Sequence, residues 1–179
     1  MKLRVTSGSL GGRRFDAPKG HKTHPMSEKI RSAIFNMLGD ISGLTVLDAY
    51  SGSGALAFEA VSRGAQKVYA VEKDKSAFST IQKNKDLLRL GNELSVSVSN
   101  VSSWLKTNNL IFDIIFCDPP YNDVKISVLE QMHKYLVDGG IMVCSLPTGQ
   151  VKEVAQKLED LKEITIKEYA NASILIMQK

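Results

Sequence analysis

The segment that decides the expected fold is VLDAYSGSGALAFEA, residues 46–60, in which an apolar strand leads into a glycine loop and then a helix. Gly52 and Gly54 allow the backbone to turn tightly and to approach a ligand closely. The following helix offers unpaired N–H groups and a positive dipole end to an anionic group. This order of elements is typical of nucleotide-like cofactor sites, although such loops also serve as plain strand-to-helix turns.

Two acidic residues narrow the type of cofactor. Asp48 ends the strand just before the glycines, where a carboxylate would repel a pyrophosphate but could hold a cationic amino group. Glu72 ends the next strand, about 20 residues past the glycines, where an acid can accept both ribose hydroxyls. An adenosine that carries an amino acid satisfies both acids, whereas a phosphate-rich dinucleotide satisfies only Glu72.

Apolar runs and helical segments continue to alternate from residue 44 onward. This alternation predicts a mostly parallel sheet with helices on both faces. We expect strands at 45–49, 68–71, 94–98, 113–117 and 141–145, and helices at 55–63, 75–90, 101–106, 125–136 and 151–158. Two strand-like runs, EITIKEY and ASILIMQK, flank a short Ala170-Asn171 turn at the end of the chain. The sequence therefore predicts an α/β doubly wound sheet that ends in an antiparallel hairpin.

A second motif with chemical meaning is FDIIFCDPPYND, residues 112–123. Its apolar residues predict a buried strand that delivers Asp118 to the carboxyl edge of the sheet, where doubly wound folds place their active sites. Pro119 and Pro120 lack N–H donors and fix φ, so they hold the backbone extended with free carbonyls. Asp118, the Pro119 carbonyl and the ring of Tyr121 then form a cluster of acceptors beside an aromatic face.

Such a cluster suits the exocyclic amine of a nucleobase. The lone pair of this amine is delocalised into the ring, which makes the nitrogen a poor nucleophile. Two acceptors that hold its N–H bonds favour the geometry in which the lone pair points outward, while Tyr121 stacks on the base. The alternative is a rigid Pro-Pro loop capped by an aspartate.

Length and composition exclude several other classes. A chain of 179 residues, 43% hydrophobic and 23% charged, fits one soluble domain that buries a core without disulfides or a structural metal. Cys117 and Cys144 lie in separate apolar runs, which excludes a disulfide framework and four-ligand zinc spacings, and we expect no metal. No run reaches the roughly 18 apolar residues of a membrane span, and the N-terminus lacks a signal-peptide core. We expect a cytoplasmic protein with no membrane partner.

Positive charge is concentrated at the N-terminus. The net charge is +4, yet residues 1–31 hold eight basic and two acidic residues, so the rest of the chain is slightly acidic. This asymmetry favours a polyanion-binding arm on a near-neutral body, with a solvated terminus as the alternative. Strand-like pieces around Gly and Pro turns predict a small hairpin here. An amphipathic helix that Ser27 caps and Gly39 ends should follow.

These motifs carry a resemblance to known enzymes. DAYSGSG at 48–54, Glu72 and DPPY at 118–121 resemble the S-adenosylmethionine (SAM)-dependent methyltransferases that act on exocyclic amines. Over essentially its full length the chain is similar to the bacterial 16S rRNA (guanine-N2)-methyltransferase family, the RsmD type. The N-terminal part of that resemblance rests on two family patterns, matched by Arg4, Gly8, Gly12 and Arg13, and by Thr23, Pro25, Met26, Ser27, Arg31, Phe35 and Asn36.

The resemblance implies a Rossmann-like methyltransferase domain at residues 27–179, including its leading helix, after an RNA-binding arm at residues 1–26. It implies transfer of a methyl group from SAM to the N2 amine of a guanine in 16S rRNA, free or in the small ribosomal subunit. We expect the protein to be a monomer. The expected catalytic residues are Asp118, Pro119, Pro120 and Tyr121. The expected cofactor contacts are Asp48, Ser51, Gly52, Gly54, Glu72, Asn100, Val101 and Asp118. The expected RNA contacts are Arg4, Arg13, Arg14, Lys22 and Arg31.

Some alternatives stay open at the level of sequence. Asn100 is also an ordinary helix N-cap. Gly11, His24 and Ser32 depart from the family pattern on the side expected to face RNA. A DNA adenine-N6 methyltransferase would use the same DPPY chemistry, and a non-catalytic RNA-binding assembly factor could retain the fold. The N-terminal signature favours the rRNA enzyme over the first, and the intact 118–121 run favours it over the second.

Overall fold

The computed structural model describes residues 1–18, 25–170 and 172–179. Its strands are β1 (Lys2–Arg4), β2 (Arg14–Asp16), β3 (Thr45–Asp48), β4 (Lys67–Glu72), β5 (Leu94–Val98), β6 (Phe112–Cys117), β7 (Leu136–Leu146), β8 (Lys162–Tyr169) and β9 (Ala172–Gln178). Its α-helices are α1 (Glu28–Leu38), α2 (Ala55–Ser62), α3 (Lys75–Leu88), α4 (Val101–Lys106), α5 (Ile126–Met132) and α6 (Val151–Lys157). The α/β alternation expected from the sequence is confirmed.

Seven strands form one sheet in the order β5-β4-β3-β6-β7-β9-β8. The strands β3 to β7 pair in parallel, and β9 pairs antiparallel with both β7 and β8. The chain adds β4 and then β5 on one side of β3, and it then returns to add β6 on the other side. The crevice between β3 and β6 is therefore the topological switch point, where open α/β sheets bind their ligands.

Three predicted boundaries differ from the structure by more than one residue. The helix expected at 125–136 ends as α-helix at Met132 and tightens to a 3-10 turn at His133–Tyr135, and β7 starts at Leu136 rather than at residue 141. The helix expected to reach residue 90 ends at Leu88, because Arg89 adopts the left-handed conformation at φ 58°. All three errors lie at element ends, where local propensity is a weak guide.

The sheet has a separate apolar core on each face. Alternating strand residues such as Ile114 and Phe116 pack with α1, α2 and α3, whereas Ile115 and Cys117 pack with α4, α5 and α6. This period-2 alternation follows from the geometry of an extended chain. Cys117 is a buried core residue, as expected, and Cys144 lies beside it in register on β7 as a free thiol. Two cysteines that are distant in sequence are thus neighbours in space.

The N-terminal hairpin of β1 and β2 packs into the first of these cores. Phe15 is fully buried, with its ring centroid 5.0 Å from that of Phe58 on α2, and Val5 is buried in the same cluster. Asn84 on α3 bonds to both backbone polar groups of Asp16. The predicted hairpin is confirmed, and it is part of the body rather than a free arm. Within the described residues, no helix is long and apolar enough to cross a membrane.

Candidate active site

Two carboxylates meet at the switch point of the sheet. Asp48 is the last residue of β3, Asp118 follows the last residue of β6, and the two strands are paired in register. Burial and, after it, the negative charge of Asp118 raise the pKa of Asp48. The sequence placed both acids at the carboxyl edge, and the structure brings them together there.

The glycine loop follows Asp48 and is held by hydrogen bonds within the chain. Gly52 and Gly54 have φ of 52° and 78°, which side-chain-bearing residues rarely adopt. The Gly54 N–H donates to the Ser51 carbonyl at 2.6 Å, and the Ser51 hydroxyl donates to the Asp48 carbonyl at 2.9 Å. Ser51 therefore shapes the loop in this structure, and its expected contact with the cofactor remains a prediction.

Asp48 is buried with one oxygen lacking a protein partner. Its Oδ2 accepts from the Ala57 N–H at 3.2 Å in the first turn of α2, and its Oδ1 has no hydrogen bond among the described residues. Burial, and secondarily the charge of Asp118, raises the pKa of Asp48 to about 7. A buried unpaired acceptor is unfavourable unless a ligand completes it. A cationic amino group would satisfy Oδ1 and favour the ionised carboxylate.

Glu72 connects the end of β4 to the glycine loop. Its Oε2 accepts from the Gly52 N–H and its Oε1 from the Asp74 N–H, each at 2.7 Å. Each carboxylate oxygen has a second lone pair, so these bonds leave capacity for ribose hydroxyls. The carboxylate thus fixes the loop as well as offering acceptors, a double role that the sequence did not reveal.

The 118–121 loop carries Asp118 and Tyr121 at this edge of the sheet. Burial raises the pKa of Asp118 to about 6, opposed by hydrogen bonding from Ser145. The Tyr121 hydroxyl lies 2.8 Å from the Ser145 hydroxyl. A narrow space next to Asp118 is walled by Met26, Ile34, Leu56, Phe116, Val143 and Ser145. Sequence reasoning did not identify Ser145, which lies in an apolar run with no motif of its own.

Asn100 and Val101, expected near the adenine, begin α4 after β5. The Asn100 Oδ1 accepts from the Ser103 N–H at 2.8 Å, so the side chain caps this helix. Val101 is 6% exposed and belongs to the core beneath the edge of the sheet. The N-cap alternative describes what Asn100 does in this structure, and its contact with a cofactor remains a prediction.

The basic N-terminal residues Arg4, Arg13 and Arg14 are all exposed but differ in their hydrogen-bond partners. Arg13 donates to the carbonyls of Leu87 and Leu88 at 2.8 and 2.9 Å and so caps the C-terminal end of α3. Arg4 is exposed and pairs with Glu28 at 2.7 Å. Arg14 is exposed on β2. Lys22, also expected to contact RNA, lies outside the described residues, as does His24.

Arg31 requires a correction. Its side chain is 0% exposed, and burial lowers the pKa of its guanidinium although Glu59 opposes the shift. It pairs with Glu59 at 3.4 Å and donates to the Arg4 carbonyl. A fully buried guanidinium cannot contact RNA phosphates, so the expected RNA role of Arg31 is wrong for this conformation. Arg31 instead holds β1 against the body.

Glu59, which the sequence analysis overlooked, is the centre of this attachment. Its carboxylate accepts bonds from the Thr6 hydroxyl and N–H, the Ser7 N–H, and the side chains of Arg31 and Arg63. Burial alone would raise the pKa of Glu59, but the bonds from Thr6 and Arg63 lower it. The hairpin is therefore tied to α2, the helix whose first turn holds Asp48. Among the described residues, no group of His, Cys, Asp and Glu side chains could hold a metal ion.

Comparisons of sequence place the chain among rRNA methyltransferases. A family model described as "Conserved hypothetical protein 95" matches residues 3–178. The chain is 30% identical over 184 residues to "Putative rRNA methyltransferase YlbH" of Bacillus subtilis, covering 99% of each protein. It is 32% identical over 140 residues to "Ribosomal RNA small subunit methyltransferase D" of Escherichia coli, covering 78% of this chain and 69% of that protein.

Solved structures share the fold. "Putative methyltransferase yhhF" from Escherichia coli superposes with a TM-score of 0.88 at 25% identity, covering 100% of this chain and 98% of that one. A structure titled "SMU.776, a putative methyltransferase complexed with SAH" superposes with a TM-score of 0.72 at 18% identity, covering 84% of this chain and 48% of that one. The expected methyltransferase fold is confirmed.

Proposed function

The chain belongs to the family described as Conserved hypothetical protein 95, and from that membership and the site geometry we propose that it methylates the N2 amine of a guanine in 16S rRNA, using SAM. The observation that carries the proposal is the meeting of two acids at the switch point. One has a buried oxygen that accepts no hydrogen bond from the described part of the chain, and the other leads a Pro-Pro-Tyr loop.

The residues of the loop fit SAM in three ways. The unpaired Oδ1 of Asp48 suits the ammonium of the methionine moiety. Glu72 retains acceptor capacity for a ribose diol. A Cβ at Gly52 would have only the Tyr50 carbonyl oxygen near it, at 3.9 Å, so the glycine leaves room for a ligand against the backbone. SAM supplies a methyl group already activated by its sulfonium charge.

The chain itself would supply positioning and a proton acceptor. Asp118 and the Pro119 carbonyl would hold the two N–H bonds of the amine, so that its lone pair points at the methyl carbon. Tyr121 would stack on the base, which must leave its own stack to reach the edge of the sheet. The nitrogen would form a bond to the methyl carbon as the bond between that carbon and the sulfur of SAM breaks, which leaves S-adenosylhomocysteine. The methylated nitrogen would be cationic, and its proton would pass to the Asp118 carboxylate or to water.

The choice of guanine N2 rests on family resemblance rather than on the geometry of the acceptors. Asp118, Pro119 and Tyr121 would hold adenine N6 equally well, because both bases present an aromatic amine with two N–H donors. The N-terminal signature from Arg4 to Asn36 favours the rRNA guanine enzymes. Arg4 and Arg14 on the hairpin are exposed and suited to phosphates.

One incubation tests the proposal. Labelled SAM is mixed with the protein and with small ribosomal subunits, naked 16S rRNA, or DNA, and the digested nucleosides are separated by mass spectrometry. We expect N2-methylguanosine from the ribosomal RNA. Detection of N6-methyladenosine, or of label in DNA alone, would show that the proposed substrate is wrong. It would not contradict the proposed SAM site. Absence of label from every substrate would refute the methyltransferase assignment.

A further inference from the structure

Ser145 lies at the same edge of the sheet as Asp118, on the neighbouring strand. Strands β6 and β7 are parallel, with Cys117 opposite Cys144, so the next residues along the two strands are Asp118 and Ser145. Ser145 is only 4% exposed, and it lines the narrow space next to Asp118. A buried hydroxyl here belongs to the rigid sheet rather than to a mobile loop.

The same hydroxyl holds the phenol of Tyr121. The two oxygens are 2.8 Å apart, which is the normal length of an O–H···O bond. Tyr121 lies in a turn after the two prolines and is 37% exposed. The bond therefore ties the far end of an otherwise accessible ring to a buried strand residue, and it restricts the plane in which the ring can lie.

The direction of the hydrogen bonds follows from donor capacity. A serine hydroxyl has one hydrogen to donate and two lone pairs to accept with, whereas an ionised carboxylate can only accept. Asp118 and Ser145 follow the paired residues Cys117 and Cys144 and line the same narrow space, and a hydroxyl donor at Ser145 favours the ionised form of Asp118. The arrangement that satisfies all three groups is donation from Tyr121 to Ser145 and from Ser145 to Asp118.

Among the described residues, the other groups that interact with Asp118 or share its space are acidic or apolar. The titratable side chains that interact with it are Asp48 at the end of β3, Cys117 on its own strand and Tyr121. Apolar side chains line the rest of this space, namely Ile34 of α1, Met26 before α1, and Leu56 of α2. Burial opposes ionisation of Asp118, and hydrogen bonding from Ser145 counters it.

We propose that Ser145 is a positioning residue for methyl transfer, whose hydroxyl links Tyr121 to Asp118 and fixes the stacking face relative to the acceptor carboxylate. This proposal rests on the proposed function. Ser145 touches neither the base nor the cofactor in this scheme. It acts by holding two groups that do, so that the amine meets its acceptor and its aromatic platform at one fixed spacing.

The test compares Ser145→Ala with Tyr121→Phe and a matched control. Ser173→Ala removes another buried serine hydroxyl, which lies on β9 next to β7 and bonds to Thr148 at 3.1 Å. Turnover is measured from pH 5 to 9 at saturating SAM and rRNA, and thermal melting checks the folding of each variant. Ser145→Thr, which keeps a hydroxyl, serves as the rescue.

We expect Ser145→Ala to lower plateau turnover by about 10- to 100-fold through lost positioning. The acid limb of the pH–turnover profile of this variant should move up by about one to two pH units, because Asp118 loses a hydrogen bond to its charged form. Tyr121→Phe should lower turnover without moving the acid limb. The double variant that combines Ser145→Ala with Tyr121→Phe should be no slower than Ser145→Ala. Ser173→Ala should match the parent, and Ser145→Thr should recover the parental limb.

Several results would overturn the proposal. An acid limb for Ser145→Ala at the parental pH would assign Ser145 a packing role only. If Ser145→Ala does not fold, Tyr121→Phe provides the test: turnover equal to that of the parent would reject the link from Tyr121 through Ser145 to Asp118. If the parent itself transfers no methyl group to rRNA, the proposed function fails first, which separates the two failures.

Discussion

Replacement of Asp48 by Asn should stabilise the ligand-free protein at alkaline pH while abolishing cofactor binding. Asp48 is 1% exposed, and burial raises its pKa from an ordinary 3.8 to about 7. The folded protein therefore binds a proton that the unfolded chain releases between these two values. Stability contributed by the protonated form falls as pH rises through this window and stays low above it.

The size of the effect follows from these two pKa values. Each pH unit in the window is worth about 1.4 kcal/mol, so ionised Asp48 costs the folded state about 4 kcal/mol above pH 7. About 3 kcal/mol of this cost arises between pH 5 and pH 8. An amide is neutral throughout, but its NH₂ replaces an oxygen and adds a buried donor, at a cost of about 1 to 3 kcal/mol.

Urea denaturation of both proteins at pH 5 and pH 8 isolates the contribution of Asp48. The stability of Asp48→Asn relative to the parent should rise by about 3 kcal/mol between the two pH values, since every other group titrates in both proteins. Calorimetry should show no SAM binding by the variant, and parental affinity should rise as pH approaches 7, since the ammonium requires an ionised partner. A relative stability that is the same at both pH values would refute the reasoning.

Four further variants test the rest of the site and the N-terminal hairpin. Asp118→Ala should leave SAM affinity near the parental value and lower turnover by on the order of 100-fold or more, measured by single-turnover methyl transfer; parental turnover would reject its role. Glu72→Ala should weaken SAM binding by about 1.5 to 3 kcal/mol in calorimetry, since an acceptor is lost and the Gly52 N–H loses its partner; unchanged affinity would remove Glu72 from the site. Arg14→Ala should reduce the slope of log RNA affinity against log salt concentration by about one, without changing the melting temperature. Arg13→Ala, its neighbour, should instead lower the melting temperature, because it uncaps α3.

The sheet could be predicted because its signals are local and periodic. The apolar runs around Val46 and Ile114 are bounded by turn residues, and the glycines of the loop require positive φ that only a few residues tolerate. Asp48, Glu72 and Asp118 could be placed for the same reason, since each ends a recognisable strand. Their meeting point follows from the rule that ligands bind where strand order reverses.

Ser145 and Glu59 could not be predicted, because their partners are distant in sequence. Ser145 meets Tyr121 only through the register of β6 with β7, and Glu59 meets Thr6 only after the hairpin has docked. A serine in an apolar strand and a glutamate in a helix are ordinary residues when read alone. Tertiary contacts of this kind need strand order and register before any side chain can be assigned.

Charge counting failed at Arg31 for a related physical reason. A basic residue within a basic segment is expected to face solvent, yet the Arg31 guanidinium is buried and pairs with an acid from another helix. That acid, Glu59, lies two residues after Ala57, whose N–H holds Asp48. One short helix therefore fixes the hairpin at one point and the cofactor carboxylate at another. The exposed arginines of the hairpin and the acids of the site are held at a fixed separation, which is what an enzyme needs to grip an RNA backbone while one base reaches the edge of the sheet.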